Sequence, residues 1–237
     1  MEVIQMASAK NILVGASPLF LSALDSTSAN YKDDMEPGST DGVSFVVKAA
    51  GATPPVPATV PYADTLNLPA NAAKWRNVGF TNNGLQITYN PSYGSVTVDQ
   101  LLDSAKLFKE SMEVMIATEL AEGTLENVLA VFGQAGSAAT AGATDTKTST
   151  IGLEAGALGI APTERQLVAV GQAPTEGVTK AERVYYARRV LSVQQSQFSL
   201  ARNAASTFPV TFRLLPSGDS AHVGQEYGFI VDRVLSA

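Results

Sequence analysis

The chain contains no cysteine and a single histidine, His222, among its 237 residues. The first absence excludes disulfides, thiolate nucleophiles and sulfur-ligated zinc together. The second excludes multi-histidine metal sites and leaves any imidazole acid–base chemistry to one residue. Charge is scarce too and leans acidic, with 16 basic against 22 acidic side chains and a formal net charge of −6. A surface built to hold phosphates needs concentrated charge of the opposite sign. Apolar residues are not scarce: at 45% they supply a real core, which excludes general disorder. The length suits one large domain or two small ones.

The apolar stretch Ile12 to Leu24 loosely copies a secretory signal. Pro18 interrupts it, and it is shorter than the ~20 residues that span a bilayer. With Met1 still ahead of it, the expectation is a retained segment, two buried strands meeting at the Ser17-Pro18 bend. No membrane association is expected. Residues 25–74 then form a polar excursion holding six of the twelve prolines. Only Ser44-Phe45-Val46-Val47-Lys48 inside it reads as a strand. A connection this long is functional or disordered, and proline stiffens it. Such an arm reaches a neighbouring molecule at low ordering cost, and deleting residues 30–70 is expected to leave the rest folded.

From Lys74 onward the pattern is that of a β protein. Trp75 to Thr81, Asn82-Asn83-Gly84 and Leu85 to Tyr89 predict a hairpin, because Asn-Gly supplies the positive-φ positions of a tight reversal. Asn90-Pro91-Ser92-Tyr93-Gly94 predicts a second turn before Ser95 to Val98. Residues 99–107 stay ambiguous. Thr97 and Gln100 can cap a short helix that places Leu101, Leu102, Ala105 and Phe108 on one face. Met112 to Leu120 alternates like a half-buried strand. The clearest helix lies within 122–132: Thr124 caps it, Leu125, Val128, Leu129 and Phe132 form one stripe, and Gly133 closes it. Residues 133–150 are almost entirely Ala, Thr, Gly and Ser, a flexible loop that buries too little to offset its ordering entropy. Strands resume at Gln166–Val170, Glu182–Gln195, Phe208–Leu214 and Tyr227–Val234. The expectation is one mainly β domain over 1–237, a sandwich or barrel with one flanking α-helix and long loop insertions.

Catalytic equipment is thin. Asp219-Ser220-Ala221-His222 gathers the residue types of a nucleophilic triad, but neighbours in one turn do not converge on one atom. His222-x-x-x-Glu226 has helical metal spacing next to a strand and Gly224. Asp33-Asp34-Met35-Glu36-Pro37-Gly38 has the acidity of a calcium loop without its ligand alternation or closing glutamate. Gly152, Gly156 and Gly159 lack the strand–turn–helix setting of a nucleotide site. No catalytic residue, metal or cofactor is expected. The one basic concentration is Arg183, Arg188 and Arg189, with Tyr185 and Tyr186 between. Strand alternation sends Arg183, Tyr185 and Arg189 one way and Val184, Tyr186, Arg188 and Val190 the other. In an acidic chain this favours subunit–subunit or intramolecular ion pairs over nucleic acid.

Several segments carry a likeness. Trp75-Arg76-Asn77-Val78-Gly79-Phe80-Thr81-Asn82-Asn83-Gly84, leading on to Thr97-Val98-Asp99-Gln100, resembles the major tail protein, or tail tube protein, of long-tailed bacteriophages. The likeness continues at Ala117 to Asn127, where a strand runs into a Glu-Gly-Thr-Leu-Glu-Asn helix start. It returns at Phe208 to Pro216 and at Tyr227 to Arg233. It covers roughly residues 74–133 and 180–235 and matches by pattern and order rather than by an invariant signature.

The resemblance implies a tail-tube-type β-sandwich whose copies form hexameric rings that stack into a tube. It implies a structural virion protein, made in the bacterial cytoplasm, that is not an enzyme. Its partners would be other copies of itself, a tape measure and other tail proteins. DNA would pass through the lumen during ejection without specific binding, and an acidic wall suits that passage. Asp33, Asp34, Glu36 and Phe45 of the excursion and Arg183, Arg188 and Arg189 of the long strand are the candidate subunit contacts. A head decoration or tail-terminator protein would close rings without stacking them. A carbohydrate- or receptor-binding β module would need exposed aromatics in a groove, and a secreted β-fold hydrolase lacks catalytic residues.

Overall fold

In the computed structural model of the chain, residues 17–23, 35–39, 42–45, 60–100, 103–134, 139–140, 149–153, 162–174, 180–194, 197–198, 202 and 206–235 are described. They form a mainly β fold. Its strands are β1 (Leu19–Ser22), β2 (Trp75–Asn77), β3 (Thr81–Val96), β4 (Lys106–Leu120), β5 (Ala139–Thr140), β6 (Ser149–Thr150), β7 (Arg165–Gln172), β8 (Lys180–Ser192), β9 (Phe208–Leu214) and β10 (Gly228–Leu235). Two α-helices join them, α1 (Tyr62–Leu66) and α2 (Leu125–Phe132). Apart from β5 and β6, which pair only with each other, the strands make one eight-stranded antiparallel sheet in the order β2-β1-β7-β8-β9-β4-β3. β10 joins β8 beside residues 180–187, while β9 takes up residues 190–192 further along.

The sheet bends over itself around its main core. Leu19 and Leu21 of β1 and Leu167 and Ala169 of β7 share one buried cluster with Ile116 of β4 and Phe212 of β9. Strands that far apart in the ladder meet only when a twisted sheet folds back, as in a sandwich or barrel. Helix α2 plugs this core with Ala130 and Val131. Its ends follow the sequence: Thr124 accepts from the Asn127 N–H, Glu126 lies in the first turn, and Gly133 takes a left-handed C-terminal position.

A second core lies on the opposite face of the β1–β7–β8 portion. Phe20, Val168, Val184, Tyr186 and Trp75 are covered there by Met35, Val43, Tyr62 and Leu66. The described parts of the 25–74 excursion are therefore a lid on the protein's own sheet. The expectation that residues 30–70 could be removed from a folded domain is corrected: that deletion strips one side of a core. Helix α1, within the same excursion, was not foreseen. Ser44 and Phe45 lie outside any strand, and Val46–Lys48 lie outside the described residues.

The two turns predicted inside 82–94 are absent. Asn82-Asn83-Gly84 and Asn90 to Gly94 all belong to β3, one strand paired with β4 from Thr81↔Leu120 to Val96↔Lys106. The turn-prone residues survive as irregularities. Pairing shifts between Asn82 and Gln86, where Asn83 (φ 59°) and Gly84 (φ 68°) are left-handed, and again between Ser92 and Tyr93. Among the described residues β3 has a partner on one side only, so it tolerates Pro91 and the bulge at Asn83-Gly84, while the second irregularity is an extra residue, Glu110, in β4. The hairpin closes beyond Val96, whose carbonyl accepts from the Ala105 N–H at 2.8 Å. The helix considered for 99–107 does not form among the described residues. Leu107 and Phe108 are already strand, while Leu101 and Leu102 lie outside the description.

Strand β8 also departs from strict alternation. Arg165 and Leu167 of β7 face Val190 and Ala187, so β8 carries an extra residue between them. The bulge sends Val190 into the main core with Ala187, whereas Val184 and Tyr186 stay in the second core. Strict alternation would put Val190 with Val184 and Tyr186 instead.

Candidate functional site

Three of the candidate contacts on β8 have partners within the chain. Arg183 grips Asp232 of β10 through Nε and Nη2 at 2.6 and 2.7 Å, and this bond holds the Asp232 carboxyl below the ordinary range. Arg189 forks onto both oxygens of Glu164 and donates to the Pro216 carbonyl. Arg188 binds both oxygens of Glu36 at 2.8 and 3.2 Å, donates to the Gln225 carbonyl, and lies over the Tyr186 and Phe229 rings. The structure thus brings Glu36 and Arg188 together as an ion pair. Phe45 packs against Tyr62 under the Arg233 guanidinium. Asp33 and Asp34 lie outside the described residues.

His222 ends a 3₁₀ turn, Ser220–His222, capped by Asp219. Its Nδ1 sits 3.1 Å from Ser217 Oγ, and its Nε2 is 3.8 Å from Glu36 Oε2. That is a serine–imidazole–carboxylate series with a different serine and a distant acid from those the sequence placed together. Glu36 is already gripped by Arg188, and Ser217 Oγ accepts from the Asp219 N–H at 3.2 Å. As built, the cluster ties the 35–39 segment to the 217–226 turn. Among the described residues no group of three or more His, Asp or Glu is placed to hold a metal ion. No helix among them is long and apolar enough to cross a membrane.

The features that sequence reasoning missed are edges. From Thr81 to Val96, β3 contains no charged residue, and among the described residues it pairs only with β4. β10 likewise pairs only with β8. Tyr89, Tyr93 and Leu107 stand 64%, 59% and 64% exposed along the hairpin beyond the core. Register puts them on the face that carries Val114 and Ile116 into the core, so the buried stripe runs out into solvent. Ile230 and Val234 are exposed on β10. Between the hairpin root and β10 lies a cleft of about 230 Å³ lined by Ile87, Tyr89, Tyr185, Tyr227 and Ile230. The signal was present in the sequence as a long uncharged run. The predicted turns divided it into pieces too short to notice.

A polar joint holds the hairpin to α2. Asn127, fully buried, donates to the Val78 and Glu122 carbonyls at 2.8 and 2.9 Å and accepts from Arg76 at 2.5 Å. Glu122 in turn accepts from the Phe80 N–H at 3.0 Å. The chain matches no protein-family model and no curated protein sequence.

Proposed function

We propose that this protein is a self-assembling structural subunit, the repeating unit of a phage-type tail tube, which stacks in rings around a channel for DNA. The observation that carries the reading is β3. A protein that lives alone blunts its edge strands with charges, covers, short lengths, prolines or bulges, because an exposed ladder recruits other chains. β3 has Pro91 and a bulge at Asn83-Gly84, but among the described residues neither a charge nor a cover along its length. This edge runs for 16 residues with no charge and an apolar face. Such an edge is suited to burial against another copy. The free edge of β10, elsewhere on the same molecule, supplies a second and different pairing surface. Two unlike edges favour head-to-tail contacts, which close into rings or run on as filaments.

The segments resembling tail tube proteins add support by where they fall. Residues 75–84 form β2 and the start of β3, 117–127 form the β4–α2 joint, and 208–216 and 227–233 lie on β9 and β10. On this reading the acidic balance keeps the channel from gripping DNA phosphates. The roles of tape measure and other tail partners rest on the resemblance alone.

Electron microscopy of the purified protein at rising concentration tests the proposal. Long tubes of uniform width are expected. Closed rings that never stack would instead favour a terminator or decoration protein, and persistent monomers would end the assembly reading.

A further inference from the structure

Arg165 opens β7 with its guanidinium partly buried. Its Nη1 donates to the Ser22 carbonyl at 3.2 Å. Among the described residues this is its one hydrogen bond, and no carboxylate stands within ion-pair distance. Arg76, Arg183, Arg188, Arg189, Arg213 and Arg233 each have one. Burial, followed by the positive charge of Arg76, pulls the Arg165 pKa down to about 10, and Glu126 opposes this more weakly. Glu126 is itself 59% exposed and serves Arg76 at 3.6 Å. Arg76 also holds Asn127 of α2. A guanidinium cannot shed its proton near neutral pH, and a half-buried cation without a counter-charge is costly. Among the described residues, no carboxylate pairs with this guanidinium.

The other end of the sheet has the complementary surplus. β2, which carries Arg76, and β3 are the two ends of the sheet order. The β3–β4 arm, residues 81–120, carries Asp99, Asp103, Glu110, Glu113 and Glu119 against only Lys106 and Lys109. Glu113 lies near Arg213, and Glu119 accepts from Asn82. Asp99, Asp103 and Glu110 remain exposed.

We propose that Arg165, backed by Arg76, is a docking site for a carboxylate from the β3–β4 arm of a second copy of this chain. The inference rests on the assembly reading above and identifies one of its contacts. The planar fork of the guanidinium suits two-point binding of a carboxylate, which a lysine does not reproduce. Docking would set the acidic excess of the arm against the Arg165 guanidinium, which no described carboxylate pairs.

The test compares wild type, Arg165→Met, Arg165→Lys and the arm variant Asp99→Asn/Asp103→Asn/Glu110→Gln by sedimentation velocity and electron microscopy. Thermal melts are run in parallel under conditions where each chain is monomeric. Arg165→Met is expected to melt at or above the wild-type temperature, because an uncompensated cation is removed. Its assembly should be weaker by about tenfold or more. Arg165→Lys should fall between the two. The arm variant, whose site is intact, should lose assembly to a similar degree, which keeps the test decisive if Arg165→Met fails to fold. Tubes from wild type together with equal tubes from Arg165→Met or from the arm variant would overturn this inference alone. A wild type that never assembles would overturn the assembly reading with it. If inorganic phosphate raises the melting temperature of wild type but not of Arg165→Met, while the arm variant assembles normally, the site takes a free anion and the proposal is wrong.

Discussion

Arg233 of β10 and Glu182 of β8 face each other across the ladder and form an ion pair whose side chains are 8% and 7% exposed. The pair reaches beyond the sheet. Both Glu182 oxygens accept from the Tyr62 backbone N–H, at 3.1 and 3.0 Å, and Arg233 Nη2 donates to the Phe45 carbonyl at 2.8 Å. The guanidinium also lies over the Phe45 and Tyr62 rings, and burial raises the Tyr62 phenol above its ordinary range. One buried pair thus fastens two separate pieces of the covering layer onto the sheet.

Removing half of that pair should therefore cost more than removing all of it. Glu182→Gln leaves the Arg233 charge buried without a counter-charge, a loss of about 3–5 kcal/mol. Glu182→Leu combined with Arg233→Met should cost less than either single change. Urea unfolding followed by the fluorescence of Trp75, which lies in the same core, measures both. A Glu182→Gln protein as stable as wild type would show that the pair is not a staple.

Two glycines with positive φ should respond very differently to a side chain. At Gly228 (φ 133°) a Cβ would lie 1.9 Å from the Tyr186 carbonyl oxygen, a backbone atom of the paired strand. Gly228→Ala must push β10 off β8 and should cost more than about 2 kcal/mol. At Gly84 (φ 68°) a Cβ meets nothing. Gly84→Ala carries only the left-handed penalty of about 1–2 kcal/mol, and Gly84→Asn less. Equal losses at the two sites would contradict the close approach of β10 to β8.

What could be read from the sequence was whatever local chemistry decides. Helix α2 was legible because its cap and closing glycine act within a few residues of the helix ends. The expected stripe was only partly right, since Phe132 is exposed and Asn127, Leu129, Ala130 and Val131 are the buried residues. β7 and β9 were legible because apolar runs of that length mark buried strands. The Asn-Asn-Gly and Asn-Pro segments misled because pairing with β4 overrides their turn preference, leaving a bulge at the first and regular ladder at Asn90-Pro91-Ser92. Val190 misled because a bulge in β8 is set by register with β7. The ion pairs were visible as types but not as partners: Arg188 and Glu36 are 152 positions apart. The setting of Arg165 was not legible, since the lack of a described carboxylate within ion-pair distance is a property of the fold alone.

Asn127 is the clearest case of a role hidden in a motif. Inside the Thr-Leu-Glu-Asn helix start it looks like a polar first-turn residue, yet it is fully buried and bridges α2 to the β2–β3 connection. Asn127→Ala would leave the Val78 and Glu122 carbonyls and one Arg76 donor without their partner, and should cost about 3 kcal/mol. Thr124→Ala, which removes only the cap, should cost about 1 kcal/mol. Chemical denaturation of the two variants side by side tests the order. A cap loss equal to or larger than the Asn127 loss would refute the bridge.

The Arg183–Asp232 pair predicts an effect of acid with a definite sign. The hydrogen bond from Arg183 lowers the folded-state pKa of Asp232. A carboxyl lowered in the folded state adds stability that is present above its unfolded value, about 3.9, and is lost as pH falls through the folded value. The Asp232 side chain is 48% exposed, so solvent screening limits the gain to under about 1 kcal/mol. Arg183→Gln should leave stability at pH 7 nearly unchanged and return the Asp232 midpoint toward the ordinary carboxylate range. The slope of stability against pH below about pH 4 should become shallower. Titration of the Asp232 carboxyl by NMR in wild type and variant reads the shift directly. An identical midpoint in both would mean that Arg183 does not hold Asp232 in solution and that this arginine is free for another partner.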